Sequence, residues 1–319
     1  MFMLRTIRLN THHARFFSTE ASQKIARIGF VGLGNMGFRM CKNLMKKGFD
    51  VTVYDKNQEV LKQFEKEGAS CANDAKKLVS SVDCVITMIP NGPDLMSLYT
   101  PEVISSFKPR SLVIDSSTVE HTVAQDLESK FKSVNVSFID APVSGGILAA
   151  ENASLTFMVG GDEKVMNRAE PVLKAMGTTL YHCGGIGSGQ VAKVCNNLIL
   201  GITMAGLCEA LAIGVALGLD PKILTKVINS SSGQCWSSSI YNPIPGILPN
   251  VPSSNGYKAG FAAQMILKDL GIANKAGKNV GLALEIGKKT FEMYDAMCKS
   301  GLNEKDFSVI YEYVSQKQK

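Results

Sequence analysis

Residues 26–55 read ARIGFVGLGNMGFRMCKNLMKKGFDVTVYD, and this stretch decides the fold of the first half of the chain. The apolar run Ala26–Val31 has strand character and opens directly into Gly32-Leu33-Gly34-Asn35-Met36-Gly37. Met40, Leu44 and Met45 then recur at helical spacing, with Lys42, Lys46 and Lys47 off that face, and Gly48 closes the helix. Val51–Tyr54 is a second strand, and Asp55 follows Gly32 by 23 residues. Strand, glycine turn, helix, strand and acid make a dinucleotide-binding unit. Gly32 permits the tight turn, Gly34 lets a pyrophosphate reach the backbone, and Gly37 lets the helix pack on the strand. The N–H groups of the turn and first helical residues (Leu33, Asn35 and Met36 among them) face the phosphates at the positive end of the helix dipole. Asp55 can accept hydrogen bonds from both ribose hydroxyls and repels a 2′-phosphate, which favours NAD over NADP.

The alternation continues beyond this unit. Gln58–Glu67 reads as a helix, and Cys84–Ile89 as a buried strand stopped by Pro90. Ser111–Ile114 leads into Asp115-Ser116-Ser117-Thr118, and Val136–Ile139 into Asp140-Ala141-Pro142-Val143-Ser144-Gly145-Gly146. Leu155–Val159 and Thr179–His182 are further strands, with a helix over Glu163–Met176 between them. Parallel strands alternating with helices give a doubly wound, Rossmann-type α/β sheet. Ligands of such sheets bind at the carboxyl edge of the strands, where Pro90, Asn91, Ser117, Thr118 and Ser144–Gly146 would lie. Ser144-Gly145-Gly146 is either a plain turn or a set of N–H groups and a hydroxyl that holds a carboxylate.

After Gly189 the strand signals fade. Gln190–Leu217, QVAKVCNNLILGITMAGLCEALAIGVAL, is nearly all apolar or small, with two charges, Lys193 and Glu209. Its length suits a membrane span or a buried helix. Glu209 interrupts the run, and Gly201, Gly206 and Gly214 suit close helix packing, so it reads as a buried helix joining two domains. Pro221 after Asp220, Phe261–Gly277, Leu282–Lys299 and Phe307–Val314 mark an all-α second domain. The expected division is a presequence over residues 1–24, a nucleotide-binding domain over 25–189, and the interdomain helix with the all-α domain over 190–319.

Lys193 and Asn197 stand four residues apart, on one face of this helix's first turns. Burial there, the helix N-terminus and the positive nicotinamide would all lower the lysine pKa. A neutral lysine can take a hydroxyl proton during alcohol oxidation, and its ammonium can return one in reduction. From spacing alone a snorkelling surface lysine remains open, as does a plain buried amide for Asn197. His121 and His182 read as structural.

Composition narrows the class. The chain has 319 residues, 45% hydrophobic and 19% charged, which suits two globular domains. The formal charge is +6. Setting aside Arg5, Arg8 and Arg15, in a first seventeen residues without acids, leaves 31 basic against 28 acidic residues. That balance argues against a nucleic-acid partner. The eight cysteines form no CxxC pair, so they read as reduced residues, and no metal site is expected. Residues 1–24 carry basic and apolar residues and have the composition of a mitochondrial transit peptide, with a cleavage signal near Phe17.

Five ordered motifs resemble the β-hydroxyacid dehydrogenase family: IGFVGLGNMG (28–37), DSST (115–118), DAPVSGG (140–146), GSGQVAKVCNN (187–197) and KDLGIA (268–273). The likeness spans about Ile25 to Tyr313, and the loop Ser232–Pro245 is similar to that of members acting on 3-hydroxyisobutyrate. The resemblance implies NAD-dependent oxidation of 3-hydroxyisobutyrate to methylmalonate semialdehyde in valine breakdown, in the mitochondrial matrix. It implies Lys193 as acid/base, and Ser144, Gly145, Gly146 and Asn197 at the substrate. At the cofactor it implies the Gly32–Gly37 turn, Asp55, Ile89, Pro90, Asp94, Thr118 and Lys268. Asp94 departs from the asparagine usual there. A homodimer or homotetramer is implied, with no membrane partner. Sister reductases of glyoxylate or tartronate semialdehyde, and a non-catalytic binding relative, are the alternatives.

Overall fold

The computed structural model describes residues 25–258 and 260–316; the presequence expected over residues 1–24 lies outside them. Nine strands form one sheet: β1 (Arg27–Val31), β2 (Asp50–Tyr54), β3 (Ser70–Cys71), β4 (Cys84–Thr87), β5 (Leu112–Asp115), β6 (Ser137–Asp140), β7 (Val143–Ser144), β8 (Leu155–Gly160) and β9 (Gly177–Gly184). The first six lie in the order β3-β2-β1-β4-β5-β6 and are all parallel. The order reverses between β1 and β4, which opens a crevice at their carboxyl ends.

The sheet is not parallel throughout. β8 runs antiparallel to β6 and β7, and β9 returns parallel to β8. Between β7 and β8 the chain has room only for the short helix Gly146–Glu151. A parallel crossover needs about a dozen residues or more, so the chain turns back instead.

Apolar residues cover both faces of the sheet. Ile28, Phe30, Val53, Ile86 and Ile114 pack with Met40, Cys41 and Leu44 of the helix Asn35–Lys46. Val85, Val113 and Phe138 pack on the other face with Leu127 and Phe131. A large buried side chain of this kind contributes about 1.5–3 kcal/mol by leaving water. A Cβ on Gly37 would overlap the carbonyl oxygen of Gly32, so glycine is required for this helix to seat on β1.

The long helix runs Ser188–Ala216 and starts from Gly187 in the left-handed region, φ +88°. It packs on β8 and β9 at its start, then on the helices Ala263–Asn279 and Glu285–Met297. A third core forms there around Met204, Cys208, Tyr294, Met297 and Phe307. Gly201 meets Leu270 and Gly214 meets Leu224, as close packing requires, whereas Gly206 meets no neighbour within 4 Å. The expectation of a buried helix holds for one face only: Val191, Ile199 (63% exposed) and Ile213 stand outward. Among the described residues it is the one helix long and apolar enough to cross a membrane.

Candidate active site

The crevice begins at the glycine turn. Gly32 has φ +93°, and a Cβ there would overlap the carbonyl oxygen of Met88 at the end of β4. Gly34 faces open space, and among the described residues no side chain caps the helix that starts at Asn35. Its first N–H groups are therefore available to an anion. Asp55, at the end of β2, accepts hydrogen bonds from Leu33 N (2.6 Å) and Asn57 N (2.7 Å). Each carboxylate oxygen keeps a free lone pair for a ribose hydroxyl. An open cradle, an uncapped helix and an acid at the end of the adjacent strand fit a dinucleotide.

The next two strand ends are tied to each other. Asp115 Oδ1 accepts from Thr87 Oγ1 (2.7 Å) and Ser117 Oγ (2.6 Å), while Ser117 Oγ accepts from Ile89 N (2.9 Å). Burial pushes the Asp115 carboxyl up to about 6, against the pull of the Ser117 and Thr87 hydrogen bonds. Lys268, from the helix Ala263–Asn279, donates to the carbonyls of Pro90 (2.9 Å) and Thr118 (2.7 Å). It thereby joins three of the expected cofactor residues. Asp94 stands in the first turn of the helix Gly92–Leu98, in a reciprocal cap with Asn91: Asp94 N and Asn91 Nδ2 donate to Asn91 Oδ1 and Asp94 Oδ2. One carboxylate oxygen is thus occupied locally.

Lys193 lies in the second turn of the long helix, 9% exposed. Among the described residues none accepts a hydrogen bond from its Nζ. Burial lowers its pKa to about 8; the Asp269 carboxylate opposes this, and the Lys268 charge adds to it. A lysine so poised exchanges protons near neutral pH.

One turn on, Asn197 is 1% exposed. Its Nδ2 donates to Asp269 Oδ2 (2.5 Å), and its Oδ1 accepts from Asn196 Nδ2 (3.1 Å). The amide keeps one proton and one lone pair. Ser144, Gly145 and Gly146 form the turn from β7 into the short helix, at the same sheet edge, with φ +128° and +67° at the two glycines. Among the described residues no hydrogen bond links this turn to Lys193 or Asn197.

Three residues of the site were not singled out by spacing. Asp269 is the buried partner of Asn197, 3.2 Å from Lys268 Nζ through its other oxygen. Asp140 accepts from Gly187 N (2.7 Å) and Gln190 N (2.9 Å), and so caps the long helix from the end of β6. Gln190 donates to Ser117 O and accepts from Val119 N. An acid closing an apolar strand, beside a glycine-rich helix start, is the signal that points to Asp140. Asp269 has its signal in the KDLGIA motif, next to Lys268.

A dinucleotide crevice facing a buried lysine of lowered pKa defines a nicotinamide-dependent dehydrogenase. The NAD binding domain of 6-phosphogluconate dehydrogenase matches residues 27–185. The domain described as NAD-binding of NADP-dependent 3-hydroxyisobutyrate dehydrogenase matches residues 187–314. The chain is 41% identical to the mitochondrial 3-hydroxyisobutyrate dehydrogenase of Mus musculus, over 91% of this chain and 88% of that protein. It is 39% identical to the probable mitochondrial enzyme of Dictyostelium discoideum, over 99% and 98%. The solved structure of the Mycobacterium tuberculosis 3-hydroxyisobutyrate dehydrogenase with L-serine superposes with a TM-score of 0.85 at 36% identity, covering 91% of this chain and 99% of that one. The chain belongs to the 3-hydroxyisobutyrate dehydrogenase family.

Proposed function

We propose that this chain oxidises the primary alcohol of 3-hydroxyisobutyrate to methylmalonate semialdehyde, with NAD as acceptor and Lys193 as the acid/base. Gly32–Gly37, Asp55, Ile89, Pro90, Thr118 and Lys268 would hold the dinucleotide, which would supply the acceptor for the hydride of the carbinol carbon. Lys193 Nζ takes the hydroxyl proton as the carbonyl forms. Ser144 and the N–H groups of Gly145 and Gly146 hold the substrate carboxylate, and the spare proton of Asn197 orients an oxygen. Asp55 repels a 2′-phosphate, which supports NAD over NADP. The observation that carries this reading is a buried lysine with no hydrogen-bond acceptor among the described residues, one helix turn from an asparagine and beside the cofactor loops.

Steady-state oxidation of a panel of small hydroxyacids (3-hydroxyisobutyrate, L-serine, glycerate and tartronate), each with NAD and with NADP, tests it. The highest kcat/KM is expected for 3-hydroxyisobutyrate with NAD. Lys193→Ala should lose orders of magnitude in kcat yet bind NAD normally, and near-normal turnover would overturn the assignment. The outward apolar face of the long helix supports a homodimer or homotetramer in solution, measurable by light scattering. Residues 1–24 support delivery to the mitochondrial matrix, where the mature chain is expected in the soluble fraction without detergent.

A further inference from the structure

The step that needs most precision is the placement of Lys193 Nζ against a cofactor held by a different half of the chain. Lys268 reaches across from the helix Ala263–Asn279, and Gln190 does so from the long helix that carries Lys193. Gln190 is fully buried and precedes Lys193 by three residues, so the two share a face of the long helix. Its Nε2 donates to Ser117 O (2.8 Å), and its Oε1 accepts from Val119 N (3.1 Å). A single amide thus holds the backbone on both sides of Thr118, whose own carbonyl is held by Lys268.

The backbone of Gln190 is fixed as well. Its N–H donates to Asp140 Oδ2, and Gly187 N donates to Asp140 Oδ1. The packing leaves no slack here: a Cβ on Gly160 would sit 2.5 Å from Asp140 Oδ1, and one on Gly189 would overlap the Met158 carbonyl oxygen. Asp140 therefore sets the depth of the helix, and the Gln190 side chain sets its rotation against the loop carrying Thr118. No other side chain of the helix's first two turns hydrogen-bonds that loop among the described residues.

We propose that Gln190 is a positioning residue for proton transfer: it locks the rotation of the first helical turn to the 117–119 loop and so holds Lys193 Nζ at the reacting oxygen. This rests on the function proposed above. The charged groups that act on Lys193 are Asp269 and Lys268 from the helix Ala263–Asn279; Asp140 lies at the helix start, Asp115 beneath the loop holding Ser117, and Glu120 of the adjoining loop is paired with Lys275. With the lock gone the helix start can rotate, Lys193 gains water, and its pKa returns toward the ordinary 10.5.

The test compares the full-length enzyme with Gln190→Met, which keeps the shape and loses both hydrogen bonds. Gln190→Glu, which keeps the acceptor for Val119 N, is the conservative partner. Gln190→Met should lose about a hundredfold in kcat, the cost of a misplacement of about 1 Å. KM for NAD should change little, and the rising limb of kcat against pH should move up from about 8. Gln190→Glu should fall between the two, which keeps the test open if Gln190→Met folds poorly. Wild-type kcat in Gln190→Met, or a lowered kcat on an unmoved limb, overturns the proposal. The pH dependence of reductive methylation at Lys193 reads the same shift without turnover. A chain inactive on every hydroxyacid would then sink the proposed function while the methylation profile still decides the role of Gln190.

Discussion

The carboxyl edge of the sheet and the start of the long helix treat buried charge in opposite ways. In the sheet, Asp115 and Asp140 end neighbouring strands, are paired in register, and accept hydrogen bonds from backbone and hydroxyl donors. At the start of the long helix, Lys193 is buried with no hydrogen-bond acceptor among the described residues. The carboxylates hold loops and a helix start, so their hydrogen-bonding capacity is spent on the scaffold. The lysine's is not, so its protons remain for chemistry. Removing a scaffold charge should cost stability first, and removing the lysine should cost activity alone.

The sharpest way to break that contrast is Lys193→Met. Turnover should fall by about 10²–10⁴-fold, the usual weight of a positioned acid/base. Thermal stability should be unchanged or higher, because an apolar replacement relieves a buried charge of its desolvation. A large drop in Tm would place the lysine among the scaffold charges. Asp140→Ala should do the reverse at first sight, costing about 3 kcal/mol of stability by orphaning buried N–H groups at the helix start. Urea unfolding measures it, and a loss under about 0.5 kcal/mol would mean the helix start does not depend on this acid.

Smaller effects come from pH. The neutral form of Lys193 accumulates as pH rises through about 8, so oxidation should climb across that value and the reverse reduction should fall. Rates of both directions from pH 6.5 to 9.5 check the sign. For Asp115 the folded pKa, about 6, stands above the ordinary carboxylate value. The folded chain then binds the proton more tightly than the unfolded one, and this contribution is present in acid and lost as pH rises through about 6. Asp115→Asn removes it, so the variant should gain on the wild type between pH 5 and pH 8, by about 1.4 kcal/mol, since roughly one pH unit of the linkage lies above pH 5. A constant difference in Tm across that range would show that burial of the charge is not what costs stability here.

Much of the nucleotide half was legible because its demands are local. The glycine spacing, the following helix and Asp55 lie within thirty residues; Gly32 and Gly37 answer steric requirements seen in the fold, and Gly34 faces the open cradle. The antiparallel return of β8 was missed although the short link after β7 excludes a crossover. Asp140 and Gln190 were not legible as partners because their hydrogen bonds join residues 47 to 73 positions apart. Periodicity carries no information on such pairings. The long helix was legible as a helix from its apolarity, yet apolarity does not say which face has a neighbour, so the outward Ile199 and Ile213 came only with the fold.

That helix also acts as a mechanical lever with a fixed pivot. Its 29 residues span about 43 Å, and Asp140 grips one end. A tilt of about 5° about that end carries the far tip nearly 4 Å, while Lys193, roughly 8 Å from the pivot, shifts by less than about 1 Å. Whatever presses on the distal turns near Gly214 therefore reaches the reacting atoms reduced several-fold. The chemistry sits where the rod moves least.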